Sequence, residues 1–381
     1  MTEVNIPLDP ALPGEPAKSL DESLRRMIVG QDQAIDQIVS AYQMHLSGLT
    51  SPGRPVGNFL FLGPTGSGKT RIVEVTAEAL LKTPSALVKI DCAEFQHSHE
   101  IAKLIGSPPG YLGHRETHPI LSQEALNQHH TDETKLSFVL FDEIEKASDA
   151  LWNLLLGILD KATLTLGDNR KVDFSRAMIF MTSNLGAAEM SDIMAPRLGF
   201  SAAEWQRAKF DIKEESMVGK IHRSGVEAAR KRFTPEFMNR LDEIITFRPL
   251  GPEQLRKILD IELDFVQQRI FSSGSDRAFV FTLSDQAKSF VLEEGTDMRY
   301  GARHLKRTIG RLLVRPISNL VYSGQVHAGD WILVDYDENT HRLRFTKRAE
   351  GLSAQDMDAP VDAVTVISSA AEIRKKRKAA S

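Results

Sequence analysis

Short apolar runs alternate with amphipathic stretches along this chain, and that alternation predicts its elements. Asn58-Phe59-Leu60-Phe61-Leu62, Ala86-Leu87-Val88-Lys89-Ile90, Ser137-Phe138-Val139-Leu140-Phe141 and Ala177 to Met181 have the length of strands. They are apolar enough to be covered on both faces. Glu243 to Phe247 adds a further strand. Between the runs the period becomes helical. Leu20, Leu24, Met27 and Ile28 share one face, Ile35, Ile38, Val39 and Tyr42 another, and Arg71 to Lys82 follows the first strand. Ser19 and Glu22 have capping-box spacing, which predicts a helix start at Ser19. Strands separated by helices predict an α/β domain, a parallel sheet flanked by helices.

Past Pro249 and Gly251-Pro252 the pattern changes. Glu253 to Ile270, Ser284 to Glu293 and Ala302 to Leu320 are amphipathic. Trp331 to Val334 and His341 to Phe345 read as a hairpin around Asp337-Glu338-Asn339. The chain therefore divides into a flexible Pro-rich lead-in over residues 1–18, a large domain over 19–248, a smaller, mostly helical C-terminal domain with a β element over 249–348, and a flexible tail over 349–381. Pro7, Pro10, Pro13 and Pro16 mark the lead-in, and Arg374-Lys375-Lys376-Arg377-Lys378 makes the tail basic.

Composition narrows the setting. At 381 residues the chain can bury one substantial core and a smaller one, and its net charge of −4 gives no general attraction to nucleic acid or membrane. Cys92 is the sole cysteine, so no internal disulfide forms and a reducing, cytoplasmic compartment is expected. Met1 to Pro16 carries Glu3, Asp9 and Glu15 without an apolar run, unlike a signal peptide, and no run approaches a membrane span.

The chemistry centres on Gly63-Pro64-Thr65-Gly66-Ser67-Gly68-Lys69-Thr70, which satisfies G-x-x-x-x-G-K-[ST] in full. A strand, a Gly-rich loop and a helix N-terminus surround an anion with backbone N–H groups. Lys69 would reach the β- and γ-phosphates of ATP, and the Thr70 hydroxyl would hold Mg²⁺. Asp142 and Glu143 follow an apolar strand, at the end where open α/β sheets bind ligands. Asp142 would complete the Mg²⁺ shell and Glu143 would polarise the attacking water. Asn184, ending the next strand, can point at the same γ-phosphate or simply close a turn before Gly186. Spacing alone assigns neither Arg240 nor Arg303 to a nucleotide. The histidines at 97, 99, 114, 118, 129 and 130 lack metal-ligand spacing and read as solvated loop residues, and Cys92 reads as packing.

These residues, in this order, resemble the AAA+ ATPases, and specifically the second ATPase module of the Clp chaperones. Leu104 to Gly113, Phe141-Asp142-Glu143-Ile144-Glu145-Lys146-Ala147, Met181 to Gly186, Phe233 to Asp242 and Tyr300 to Arg307 carry the resemblance, which spans roughly Ser19 to Arg348. It implies that 19–248 is an AAA+ large ATPase domain and 249–348 a Clp-type lid. It also implies that Asn184 is sensor 1, Arg240 an arginine finger for a neighbour's nucleotide, Arg303 sensor 2, and Ile28-Val29-Gly30-Gln31 the segment packing on adenine. A finger acting in trans implies a homo-oligomeric ring, usually a hexamer. Tyr111, within Gly110-Tyr111-Leu112-Gly113, is similar to the aromatic pore loop that grips an extended polypeptide, and Leu166 to Lys171 stands where the family has a second pore loop.

The implied activity is ATP-dependent threading of polypeptides by an unfoldase. Leu198-Gly199-Phe200 resembles the tripeptide that docks Clp unfoldases on a peptidase ring. That leaves open an ATP-binding subunit of a Clp-type protease, with an adaptor, or a stand-alone chaperone or disaggregase. A nucleotide-switched assembly scaffold is the alternative outside this class. The stretch shows no counterpart of the family's substrate-recruiting domain, first ATPase ring or coiled-coil insert. His114-Arg115-Glu116-Thr117-His118-Pro119 replaces the acidic, Gly-containing turn usual after the pore loop.

Overall fold

In the computed structural model of the chain, which describes residues 9, 13–107, 119–194, 214–274, 277–297 and 300–353, the apolar runs become parallel strands. They are β1 (Gly57–Leu62), β2 (Leu87–Asp91), β3 (Ser137–Asp142), β6 (Ala177–Ser183) and β7 (Glu243–Thr246), in the order β2-β3-β6-β1-β7. A small antiparallel pair, β4 (Thr163–Thr165) and β5 (Lys171–Asp173), stands apart from this sheet. In β1, Gly57 lies opposite Met178 and Leu62 opposite Ser183, while β7 joins on the other side with Phe59 opposite Glu243.

Because side chains alternate across a strand, the sheet makes two cores. Phe59, Phe61, Phe138, Leu140, Met178 and Phe180 face one way, with Phe59 stacked on Phe180 at 5.2 Å. They pack with α1 (Glu15–Met27), α2 (Asp32–Leu46) and α3 (Lys69–Leu81). Leu60, Leu62, Val139, Phe141, Ile179 and Met181 face the other way, with α4 (Asp149–Lys161). The expected parallel sheet with helices on both faces is present.

Helix α5 (Ala187–Met194) and helix α6 (Glu214–Arg232) follow β6. Gly225 of α6 lies so close to α5 and β7 that a Cβ there would come within 2.4 Å of the Met190 methyl and 2.8 Å of Thr246 Cγ2. The contact seats α6 against the end of the sheet that carries the phosphate loop.

The start of the chain differs from expectation. Helix α1 begins at Glu15, not Ser19, with Gly14 as its cap, so residues 15–18 are helical rather than part of a flexible lead-in. Pro16 sits in the first turn, where its missing N–H costs no intrahelical bond, so the proline that reads as a breaker starts the helix.

Two compact units divide at Pro249/Leu250. The second contains α7 (Pro252–Ser272), β8 (Val280–Leu283), α8 (Asp285–Gly295), α9 (Ala302–Ile309), α10 (Arg315–Tyr322), β9 (Trp331–Asp337) and β10 (Arg342–Ala349). Its β element is larger than a hairpin, because β8 pairs in parallel with β9 while β10 pairs antiparallel on the other side. The single helix expected over Ala302 to Leu320 is interrupted by a π-helical turn at Gly310–Val314. Leu255, Leu259, Phe281, Leu305, Leu313 and Val334 form this unit's core. Among the described residues, no helix is long and apolar enough to cross a membrane.

Candidate active site

The phosphate loop leaves the C-terminal end of β1 and re-enters as α3. Gly63 has φ 147°, and a Cβ there would lie 2.6 Å from the Phe247 carbonyl oxygen, so the loop's first turn admits only glycine without displacement. Gly68, at φ 102°, caps α3 with no side chain in the way. The first-turn N–H groups of α3 and the positive end of its dipole suit an anion.

Gln31, which the resemblance gives only as part of the segment packing on adenine, supports the loop from behind. Its buried amide Nε2 donates to Ser67 O at 3.1 Å and Arg248 O at 3.0 Å, and its Oε1 accepts from Arg248 N at 3.1 Å. The cue in the sequence was Gly30-Gln31 beside the apolar Ile28. The partners, 36 and 217 positions away, become visible only on folding.

Lys69 is 8% exposed, and its Nζ donates to Gly63 O at 2.7 Å, Pro64 O at 2.9 Å and Asn184 Oδ1 at 3.0 Å. Thr65 Oγ1 also donates to Asn184 Oδ1, at 3.5 Å. The ends of β1 and β6 thus share one polar cluster.

The end of β3 completes it. The Glu143 N–H donates to Thr182 Oγ1 at 3.0 Å, and the Thr182 hydroxyl donates in turn to Asp142 Oδ1. Thr70 Oγ1 donates to the two Asp142 oxygens at 3.4 and 3.5 Å, long bonds that leave the carboxylate open to other ligands. Lys89 Nζ lies 3.3 Å from Asp142 Oδ2. Hydroxyl and carboxylate oxygens are the donor type that Mg²⁺ takes, so Thr70 and Asp142 fit that ion.

Glu143 holds φ 57°, a left-handed conformation that costs a residue with a Cβ roughly 1–2 kcal/mol. Its carboxylate accepts from Asn184 Nδ2 at 3.4 Å and is paired with Lys146, whose ammonium pKa is raised by that hydrogen bond and charge. Glu145, a residue without an expected role, accepts the Asn184 backbone N–H at 3.0 Å. Cys92 lies buried beside this cluster. Burial, and then the Asp91 and Asp142 carboxylates, push its thiol far above the usual range.

Not every sequence-predicted residue joins this group. Arg240 stands just before β7, which runs parallel to β1, so it lies at the opposite end of the sheet from the phosphate loop. Its guanidinium donates to the Glu236 carboxylate at 3.0 Å and lies 3.7 Å from Asp160. Ile28 is buried in the α1–α2 core, and Val29 is half-buried at the α1–α2 turn. Arg303 is exposed in the first turn of α9, in the second unit. The Leu166–Lys171 loop joins β4 to β5 and packs on the preceding strand-free segment, with Gly167 N donating to Ile105 O at 2.8 Å. Tyr111 and Leu198-Gly199-Phe200 lie outside the described residues, as does the basic tail from residue 354. No group of three or more His, Cys, Asp or Glu among the described residues is placed to hold a metal ion.

Residues 54–244 match the family model described as AAA domain (Cdc48 subfamily). The chain belongs to the AAA family. Residues 250–334 of this AAA chain match the model described as the C-terminal, D2-small domain of ClpB protein. Chaperone protein ClpB 1 of Thermosynechococcus vestitus is 37% identical over 347 residues, covering 91% of this chain and 36% of that protein. Chaperone protein ClpC3, chloroplastic, of Oryza sativa subsp. japonica is 36% identical over 342 residues, covering 90% and 34%. The chain thus spans about a third of the length of these curated relatives. The S. cerevisiae Hsp104:casein complex in its extended conformation has a TM-score of 0.71 at 28% identity, covering 87% of this chain and 53% of that one. The family resemblance, the fold class and the ATPase class expected from the sequence are all borne out.

Proposed function

We propose that this AAA module is an ATP-driven polypeptide unfoldase that works as a homo-oligomeric ring, usually a hexamer, in the cytoplasm. The observation that carries the reading is the meeting of Lys69, Thr70, Asp142, Glu143 and Asn184 at one end of the sheet, with Arg240 at the other. Along β1 alone those ends are separated by about 17 Å. An arginine so placed cannot serve the nucleotide of its own protomer and is free to serve a neighbour's.

In this reading residues Gly63 to Thr70 cradle the phosphates of ATP. Lys69 Nζ gives up the Gly63 and Pro64 carbonyls for the β- and γ-phosphates, and Asn184 follows the γ-phosphate. Thr70 and Asp142 hold Mg²⁺, which supplies charge compensation on the phosphates. Glu143 orients and polarises water from its constrained backbone position. Ile28 and Val29 border the base, residues 19–248 form the ATPase domain, and Arg303, within the Clp-type small domain over 249–348, is the sensor 2 residue. The energy of hydrolysis moves Tyr111, which grips the substrate through ring contacts that need no particular sequence.

Polypeptide as substrate is supported by two similar solved structures of Hsp104 with casein, one of them also with ATPγS. Leu198-Gly199-Phe200 is the proposed docking tripeptide for a Clp-type peptidase. Loss of peptidase stimulation in Phe200→Ala, with ATPase activity intact, tests it.

The deciding experiment is ATP-dependent unfolding of a tagged fluorescent protein by wild type, Tyr111→Ala and Glu143→Gln. Unfolding by wild type, and hydrolysis without unfolding by Tyr111→Ala, is the expected result. Undiminished unfolding by Tyr111→Ala would overturn Tyr111 as the gripping residue, and hydrolysis with no unfolding by wild type would favour the switched scaffold.

A further inference from the structure

Arg232 ends α6, and what it touches links the two ends of the sheet. Its Nε and Nη2 donate to the Glu145 carbonyl oxygen at 3.2 and 2.8 Å, and its guanidinium lies 4.5 Å from the centre of the Trp152 ring. Trp152 Nε1 donates to the neighbouring carbonyl, Ile144 O, at 3.2 Å. Two consecutive carbonyls of the turn after Glu143 are therefore held by a stacked cation–aromatic pair. That turn carries the Glu143 carboxylate, which Asn184 Nδ2 reaches, and the Glu145 carboxylate, which holds the Asn184 backbone.

The same pair begins the path to Arg240. Phe233, the next residue, packs edge-on against Trp152 with ring centres 5.5 Å apart, and Phe237 follows at 5.2 Å. Thr234 Oγ1 caps the one-turn helix Pro235–Met238, and the Arg240 N–H donates to Phe237 O at 3.1 Å. Helix α4 runs alongside, carrying Trp152 near one end and Asp160, the Arg240 partner, near the other. The two positions are about 12 Å apart along its axis.

We infer that Arg232 is a positioning residue for ATP hydrolysis, clamping the Glu143–Glu145 turn to the segment that ends in Arg240. Its contacts are with the Glu145 carbonyl and the Trp152 ring. It fixes where Glu143 and Asn184 stand, and through Phe233 and α4 it makes the stance of Arg240 depend on the state of that turn. This rests on the reading of the site as hydrolytic. Hydrolysis in one protomer would then be felt at the arginine offered to the next, without any contact between Arg232 and either nucleotide.

The test is steady-state ATPase activity of the full chain, with binding of a fluorescent ADP analogue measured separately, for wild type, Arg232→Ala, Arg232→Lys and Trp152→Phe. Arg232→Ala should lower kcat about tenfold while the ADP analogue's Kd stays within about twofold. Its Hill coefficient for ATP should fall toward unity. Arg232→Lys, which keeps a cation over the ring and one donor for Glu145 O, should recover much of the rate. Trp152→Phe, which keeps the ring and loses the Ile144 bond, should fall between. An unchanged kcat and Hill coefficient in Arg232→Ala overturns the proposal while leaving the hydrolytic reading in place. So does a parallel loss of kcat, ADP-analogue affinity and thermal midpoint, which would make Arg232 an ordinary structural contact. Absence of turnover in wild type overturns both.

Discussion

Both ends of the parallel sheet carry polar side chains and use them in opposite ways. At the N-terminal end, buried Asn58 donates from Nδ2 to Leu159 O and Arg240 O, both at 3.2 Å. The Asn58 N–H donates to Asp242 Oδ2 at 2.8 Å, and Arg54 Nη2 donates to Arg240 O at 3.1 Å. Most of these partners are fixed backbone groups, and every bond lies within the ordinary range. At the C-terminal end, the bonds that join Thr70 to Asp142 and Glu143 to Asn184 are long, at 3.4 to 3.5 Å, and the backbone is strained at Glu143. Polar groups spent on backbone hold a fold together, whereas polar groups loosely bonded among themselves can be redirected to a ligand.

The largest expected effect breaks this division on purpose. Arg240 stands at the structural end, yet Arg240→Ala should lower kcat by about 10³-fold or more, the scale of an arginine finger acting in trans. Mixing Arg240→Ala with Glu143→Gln subunits should restore part of the hydrolysis, because one supplies the finger and the other the intact site. No recovery in a mixing titration would return Arg240 to the structural group.

Glu143→Gln sharpens the comparison from the other side. It should cost about 10²–10⁴ in kcat, the range of a general base, with thermal midpoint held and nucleotide still bound. A fall in midpoint measured by calorimetry, rather than in rate, would show the carboxylate to be structural.

Asn58→Ala is the converse. It should remove about 1–3 kcal/mol of stability by stranding buried backbone carbonyls, visible as a lower denaturation midpoint, while kcat per folded protomer is kept. If the rate falls with the midpoint unmoved, the N-terminal end takes part in chemistry.

The smallest effect concerns Cys92, beside the catalytic end but not part of it. Its raised pKa keeps the thiol protonated at pH 8, where a free cysteine is partly thiolate. Iodoacetamide should alkylate it at least about tenfold more slowly than a free thiol until the protein is denatured. Rapid labelling of the native protein would mean that the core beneath β2 and β3 opens.

Much of this was legible in the residues. The runs that became β1, β3 and β6 are continuous and apolar because the middle of a sheet covered on both faces leaves polar side chains only at its ends, whereas the edge strand β2 keeps the exposed Lys89 in its middle. The phosphate loop, Asp142-Glu143 and Asn184 are legible for the same reason: each directly follows such a run. Strand β8 was not, since Val280-Phe281-Thr282-Leu283 is short and its partner β9 lies far along the chain. The helix start at Glu15 was misread because Pro16 signals both a break and a first turn, and only packing of Ala17 and Leu20 into the core decides between them.

What the sequence determined by itself was therefore local: which segments are strands or helices, and which residue types stand at their ends. Family membership followed, because those ends carry fixed spacings. Tertiary structure alone decided the rest. It brought Gln31 beneath the phosphate loop and Arg232 onto Glu145 and Trp152, and it set Arg240 at the end of the sheet away from the loop. Hydrophobic periodicity records which face of an element is buried. It carries no term for which two distant polar groups will meet, because that depends on how the whole chain closes around its two cores.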